Sequence, residues 1–333
     1  MPIKLHKRPR LRQPYLVAAG PGTGNVGLMT VDYLKDRLGA ELLAEIEPGD
    51  FFSASYAFLI QDGVAELKPA PPGEIKPENK FYYWKGGKTR DLLFFVGNTH
   101  PLQGKGRQFA DMVLDLAARF GAKTLFIPGA FVTDIHHKRE PRIFGVVSKR
   151  ELLHHLQEWN VEAVPPISVA FNLNTWLLTA AIERDIDALG LITEIPFYTA
   201  EAPNPRACRA LLGIMREVLG LSERLDIASL DEFVSSQERM IDEKIEELKT
   251  LPDERSREFL AYLEQLERGG EGISSPEPPL ALRRIEKLYT QARKDPSKLR
   301  PLRDELNRLA DSDRLEVFRR LGDELLDLFK TEP

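Results

Sequence analysis

The residues best suited to chemistry lie in a glycine turn. Gly20-Pro21-Gly22-Thr23-Gly24-Asn25-Val26-Gly27 follows an apolar run, and Gly22, Gly24 and Gly27 fit G-x-G-x-x-G spacing. Between a strand and a helix, such a turn brings a pyrophosphate close to the helix N-terminus, where free N–H groups favour an anion. Glu45 or Glu47, at the end of a second strand, lies at the right sequence distance to hold a ribose. The alternative is packing: the same glycines let the first helix lie close on a sheet and bind nothing. A Walker A loop is excluded, because no Gly-Lys-Ser/Thr follows the turn.

Two further segments carry polar groups after apolar strands. Gly97-Asn98-Thr99-His100-Pro101 offers Asn98 and His100, the latter a candidate general base near neutral pH. FVTDIHHKREPR offers Asp134, His136 and His137, with Lys138, Arg139 and Arg142 as an anion-binding rim. A metal site there is disfavoured, because adjacent residues diverge and no third histidine is near. A polar recognition loop is the better reading. His154 and His155 fall on a predicted helix and are expected to be exposed. Cys208 sits in a predicted helix without an activating partner and reads as inert. No G-x-S-x-G elbow supports a serine hydrolase.

These residues need strands and helices to position them. Tyr15–Ala19, Glu41–Ile46, 91–96, Thr124–Ile127, 142–147 and 190–195 read as strands. Asn25–Leu38, 106–120, 149–159, 172–186 and 204–220 read as helices, with Pro205 suited to a first turn. If the strands are parallel, the glycine turn, Asn98, His100, Asp134 and His136 meet at one sheet edge. Residues 61–88 are rich in Pro, Gly and Lys, and 64–67 with 81–84 read as a hairpin-like excursion. Residues 1–13 read as a basic, solvated arm. Alternating apolar strands and helices predict an α/β fold, with a sheet covered on both sides.

The 333 residues carry 46 Lys+Arg and 51 Asp+Glu, for a net charge of −5. The charge is uneven. Residues 1–220 hold 26 basic and 24 acidic groups, whereas 221–333 hold 20 and 27. Neither part is basic enough for a nucleic-acid footprint. With 42% apolar residues, wholesale disorder is excluded. A single cysteine excludes an internal disulfide and Cys-based metal sites. No membrane span or signal peptide is expected, so the expected location is the cytoplasm. From Leu221 onward, apolar residues recur every three or four positions among mixed charges, predicting exposed amphipathic helices.

Taken together, GPGTGNVGLMTVDYL, EIEPGDFF, QDGV, DLLFFVGNTHP, FIPGAFVTDIHHKREPRIFGV, EIPFYTAEAPNPRACRALL and YLEQLE resemble the proteasome assembly chaperone 2 family, in particular its bacterial branch. The resemblance covers roughly residues 13–267. It implies a three-layer α/β/α sandwich of the nucleoside phosphorylase and peptidyl-hydrolase type rather than a Rossmann domain. It also implies a chaperone-like role through protein contacts, frequent homo-oligomers, and a glycine turn without an established catalytic task. Eukaryotic relatives help assemble the proteasome α-ring, and some archaeal relatives engage proteasome-like rings. The chain departs from the family at Thr331-Glu332-Pro333, where ring-docking relatives often end with a hydrophobic residue, a tyrosine and a final residue. It departs again at 167–172, where relatives are often glycine-rich.

The expected organisation is a basic arm (1–12), an α/β/α domain (13–220), a helical arm (221–268), a linker (269–279) and a helical tail (280–333). No catalytic residue, cofactor or metal is expected. The partner is a protein, with self-association the simplest case, and neither nucleic acid nor membrane. The alternative is a small-molecule enzyme or sensor, binding a nucleoside, nucleotide or other anion through Gly22, Thr23, Gly24, Asn25, Asn98, His100, Asp134 and His136.

Overall fold

A computed structural model describes residues 3–52, 56–61, 64–69, 77–102, 104–165, 172–250 and 254–267. The expected linker 269–279, the tail 280–333 and most of the 167–172 departure lie outside the described residues. In chain order the elements are β1 (Ile3–Leu5), β2 (Tyr15–Ala19), α1 (Val26–Arg37), β3 (Glu41–Ile46), β4 (Tyr56–Gln61), β5 (Val64–Pro69), β6 (Asn79–Trp84), β7 (Leu92–Gly97) and α2 (Gly106–Arg119). They continue with β8 (Thr124–Thr133), β9 (Ile143–Val147), α3 (Leu153–Glu158), β10 (Glu162–Ala163), α4 (Leu173–Glu183), β11 (Asp187–Pro196), α5 (Pro205–Val218), α6 (Leu230–Lys249) and α7 (Glu254–Glu267).

Among the described residues, the main sheet has nine strands in the order β1-β3-β6-β7-β2-β8-β11-β9-β10. Its centre, β7, β2, β8 and β11, is parallel. Central strands with both faces covered must be apolar throughout, and LLFFV of β7 is buried from Leu92 to Phe95. Side chains alternate between the two faces. Leu16 and Ala18 join Leu93, Phe95, Leu125 and Ile127 under α2 and α4. Val17 and Ala19 join Leu92, Phe94 and Phe126 under α1, α3 and α5. Each fully buried Leu or Phe contributes about 1.5–3 kcal/mol. The fold is therefore the expected three-layer α/β/α sandwich, extended by α6 and α7.

Three local expectations are corrected. The first residues are not all solvated, because β1 pairs antiparallel with β3 at the sheet edge. The segments 64–67 and 81–84 do not pair with each other. Val64–Pro69 pairs with Tyr56–Gln61 in a separate two-stranded sheet, while β6 lies inside the main sheet between β3 and β7. The strand that begins at Thr124 continues to Thr133, because β11 pairs with it over its whole length.

Candidate functional site

The glycine turn stands at the C-terminal end of β2, on the chain's way into α1. Gly24 has φ of 57°, a left-handed conformation that suits glycine. Its N–H donates to the Ala200 carbonyl at 2.9 Å. A Cβ on Gly24 would lie 2.8 Å from Asn204 Nδ2 and 3.1 Å from Ile195 Cδ1. Asn204 is itself fixed: Nδ2 donates to the carbonyls of Thr199 and Ala202, and Oδ1 accepts from the Thr199 hydroxyl. At Gly27 a Cβ would lie 2.3 Å from the Pro128 carbonyl oxygen, so α1 packs directly on β8. Both glycines thus have a packing reason. Gly22 and Asn25 are exposed, Thr23 is half-buried and Gly24 is buried. The dinucleotide arrangement is absent, because β3 is not the neighbour of β2. Two strands separate them, about 14 Å at ordinary strand spacing, and Glu45 instead faces His6 at 3.6 Å.

Asn98 and His100 follow β7, beside β2. Asn98 ties the strand ends together: its Oδ1 accepts from the Glu78 N–H at 2.7 Å and from the Thr99 hydroxyl at 2.9 Å. His100 is exposed, and partial burial lowers its pKa. The first turn of α4 closes over this end of the sheet. Asn172 caps α4 through a reciprocal bond with Thr175, a capping box. Asn174 grips the turn, accepting from the Gly20 N–H at 2.7 Å and donating to the Gly20 carbonyl at 3.3 Å.

Asp134 and His136 follow β8, which runs on from Phe126, the ladder partner of Val17, to Thr133. The glycine turn reaches toward the same end of the sheet: Gly24 approaches Ile195, which pairs with Val132, and bonds Ala200. Asn98 and His100 follow β7, on the other side of β2. Asp134 and His136 lie beneath the helical arm. His136 and His137 are 5% and 6% exposed. Tyr198 Oη accepts from the His137 backbone N–H at 2.9 Å and sits 2.8 Å from His137 Nδ1. The Tyr198 proton then points to Nδ1, leaving Nε2–H to donate to Asp242 Oδ1 at 3.2 Å. Burial, reinforced by His136, pushes the His137 pKa down to about 4, against the pull of Asp242. Burial opposes ionisation of Asp242, yet Lys138, at 2.8 Å, and His137 hold its pKa below the usual range. Asp134 bonds the Tyr262 hydroxyl, and burial followed by Asp134 raises the tyrosine's pKa.

The expected cationic rim is used internally. Lys138 meets Asp242, and Arg139 donates to the Glu267 carbonyl. Arg142 makes a two-pronged pair with buried Glu194, at 2.8 and 3.1 Å. Cys208 is buried and its thiol is pushed up to about 11, as an inert residue requires. Of the other histidines, His154 is exposed, whereas His155 is half-buried and stacks on Trp159. Among the described residues, metal-type donors gather at His154, His155 and Glu158, not at Asp134–His137. Asn174, Tyr198, Asn204, Asp242 and Tyr262 escaped the sequence reading. The Asn172-x-x-Thr175 spacing could have marked the start of α4, but nothing local marks a tyrosine that meets a distant histidine.

No helix among the described residues is long and apolar enough to cross a membrane. No curated protein sequence matches the chain. Solved structures do. The archaeal proteasome activator PbaB of Pyrococcus furiosus is 24% identical, with a TM-score of 0.59 over 72% of this chain and 97% of that one. A PAC2 family protein of Streptomyces avermitilis is 20% identical, with a TM-score of 0.57 over 74% and 99%. A proteasome-assembly chaperone homologue of Mycobacterium tuberculosis is 21% identical, with a TM-score of 0.56 over 74% and 99%. Residues 16–249 match the model of the PAC2 family, and the chain belongs to that family.

Proposed function

We propose that this chain is an assembly-chaperone-like protein that works in the cytoplasm through protein contacts, its own copies included, rather than through bond chemistry. Residues 13–220 act as the body, and 221–268 as an arm that carries the contact surface. The observation that carries this reading is the use made of the histidine loop. Its buried groups, His137 above all, bond to Tyr198 and to Asp242 of α6, and so hold a helical arm instead of facing solvent. The outer side of that arm presents Phe233, 66% exposed, in the first turn of α6. The solved relatives described as a proteasome activator and an assembly-chaperone homologue support the same direction.

Light scattering tests it. The native chain is expected at a multiple of its monomer mass, and Phe233→Glu at the monomer mass with an unchanged circular dichroism spectrum. A native chain that is monomeric and cross-links to no protein of its host overturns the reading. One observation favours the second reading, small-molecule binding at the sheet edge: the buried amide of Asn79 has no hydrogen-bond partner among the described residues.

A further inference from the structure

The strands β2 and β7 are parallel and start side by side, with Tyr15 opposite Leu92. The segments that lead into them, Arg12-Gln13 and Lys88-Thr89-Arg90, line a cleft of about 350 Å³ that opens to solvent. It lies at the N-terminal ends of the strands, whereas the glycine turn follows the C-terminal end of β2. One buried carboxylate joins the two segments. Asp91 Oδ2 accepts from the Arg12 N–H at 2.7 Å, and Oδ1 accepts from the Gly86 N–H at 2.8 Å. The Asp91 carbonyl accepts from the Tyr15 N–H at 3.1 Å. Held from both sides, Gln13 takes φ of 40°, a left-handed conformation that costs energy in a residue other than glycine.

The walls of the cleft interlock through its arginines. Arg12 donates to the Gly87 carbonyl on the opposite segment, and Arg90 donates back to the Gln13 carbonyl at 3.1 Å. Arg90 also lies over the Tyr15 ring, 4.5 Å from its centre. Each of these bonds uses one guanidinium N–H and leaves the others available. Lys88, exposed in the turn between β6 and β7, adds a third cation. Among the described residues, none of the three pairs with a carboxylate side chain. By contrast, Arg142, Arg206 and Arg209 are all engaged by carboxylates. Three cations stand here against one carboxylate, Asp91, which leaves two positive charges in excess. Crowded like charges repel, and a bound anion relieves that repulsion.

We propose that this cleft binds the phosphate of a small, soluble phosphomonoester. Guanidinium N–H pairs match the spacing of two oxygens on one oxyanion and bind it in two-pronged fashion. A phosphomonoester carries a charge of about −1.5 to −2 at pH 7, which matches the excess in the cleft. Both arginines are tied to backbone carbonyls before anything binds, so little side-chain freedom is lost on binding. The open mouth leaves the organic part of the ester in solvent. Recognition is therefore of the phosphate head, and Lys88 closes on it from the turn.

Isothermal titration calorimetry of the full chain tests this, with inorganic phosphate and glycerol 3-phosphate as probes at constant ionic strength. Both are expected to bind at one site per chain with Kd below about 1 mM, and more weakly as chloride is raised. Lys88→Gln changes an exposed side chain and is expected to weaken glycerol 3-phosphate about tenfold. Arg12→Gln keeps the backbone bond to Asp91 and is expected to weaken it further. Lys105→Gln, just before α2 and beyond the other end of β7, removes the same charge and is expected to leave affinity unchanged. Should Arg12→Gln lose its native circular dichroism spectrum, Lys88→Gln carries the test alone. Three results overturn the proposal: no binding of either probe to the native chain, unchanged affinity in Lys88→Gln, or an equal loss in Lys105→Gln. Binding of inorganic phosphate without glycerol 3-phosphate also overturns it, as an adventitious ion only.

Discussion

His137 is a histidine that the fold keeps neutral. Its ring is sealed under α6, facing His136, Tyr198, Asp242 and Lys138. Unfolded, it binds a proton near pH 6.5; folded, near 4. The depressed value means that its stabilising contribution is complete above pH 6.5 and is lost as the pH falls from 6.5 to about 4. The loss amounts to about 3 kcal/mol over that window. His136, lowered chiefly by burial, acts in the same direction. Asp242 is depressed too, so its own contribution disappears only at lower pH. Urea denaturation between pH 7 and pH 4 should therefore show falling stability, and His137→Gln should flatten most of the slope. The glycine turn gives a second residue-scale expectation. Gly27→Ala should cost about 1–3 kcal/mol in urea denaturation, because its methyl meets the backbone of Pro128. These residues were unequally legible. The spacing of Gly22, Gly24 and Gly27 marked a special turn, but spacing does not distinguish close approach to a phosphate from close approach to a neighbouring strand. The position of Asn204 and Pro128 makes that distinction here, and both are distant in sequence.

Elements were easier to read than their pairings. The apolar run of β7 and the amphipathic stripe of α2 follow from local composition, and the structure has both. Pairing depends on where the chain returns, which explains why β6 was matched with the wrong strand. The same reason hid the extension of β8, since Phe131 and Val132 gain a ladder only from β11. The helical arm shows how an element is fastened by distant parts. Tyr198, Ala202, Ile241, Phe259, Leu263 and Leu266 form a third core, separate from the two that flank the sheet. Around it, Arg206 joins Glu140 to Glu238, and Arg209 joins Glu140 to Asp231. Surface pairs of this kind contribute little each, so the aromatic core dominates. Phe259→Ala should destabilise the arm by about 3–5 kcal/mol. Hydrogen exchange should then accelerate in α6 and α7 and stay unchanged in β2, β7 and β8.

At the scale of the whole molecule, the sandwich and the arm are linked through the histidine loop. The PAC2 match ends at residue 249, so it includes α6 and stops short of α7. Yet α7 completes the third core: Phe259 packs on Tyr198 at 5.9 Å, and Tyr198 is the partner of His137. A chain that ends at Thr250 keeps the two sheet cores and the Asp242 contact, but loses the cover over Tyr198. Burial is the first cause of the low His137 pKa, so uncovering Tyr198 should move that value up from about 4 toward 6.5. NMR titration of the imidazole Cε1–H signal in the two chains measures the shift. An unchanged value in the shortened chain would mean that α6 alone seals the ring. A raised value would mean that α7 docking and His137 protonation are thermodynamically linked, so that acid weakens the docking of α7 and any contact built on it.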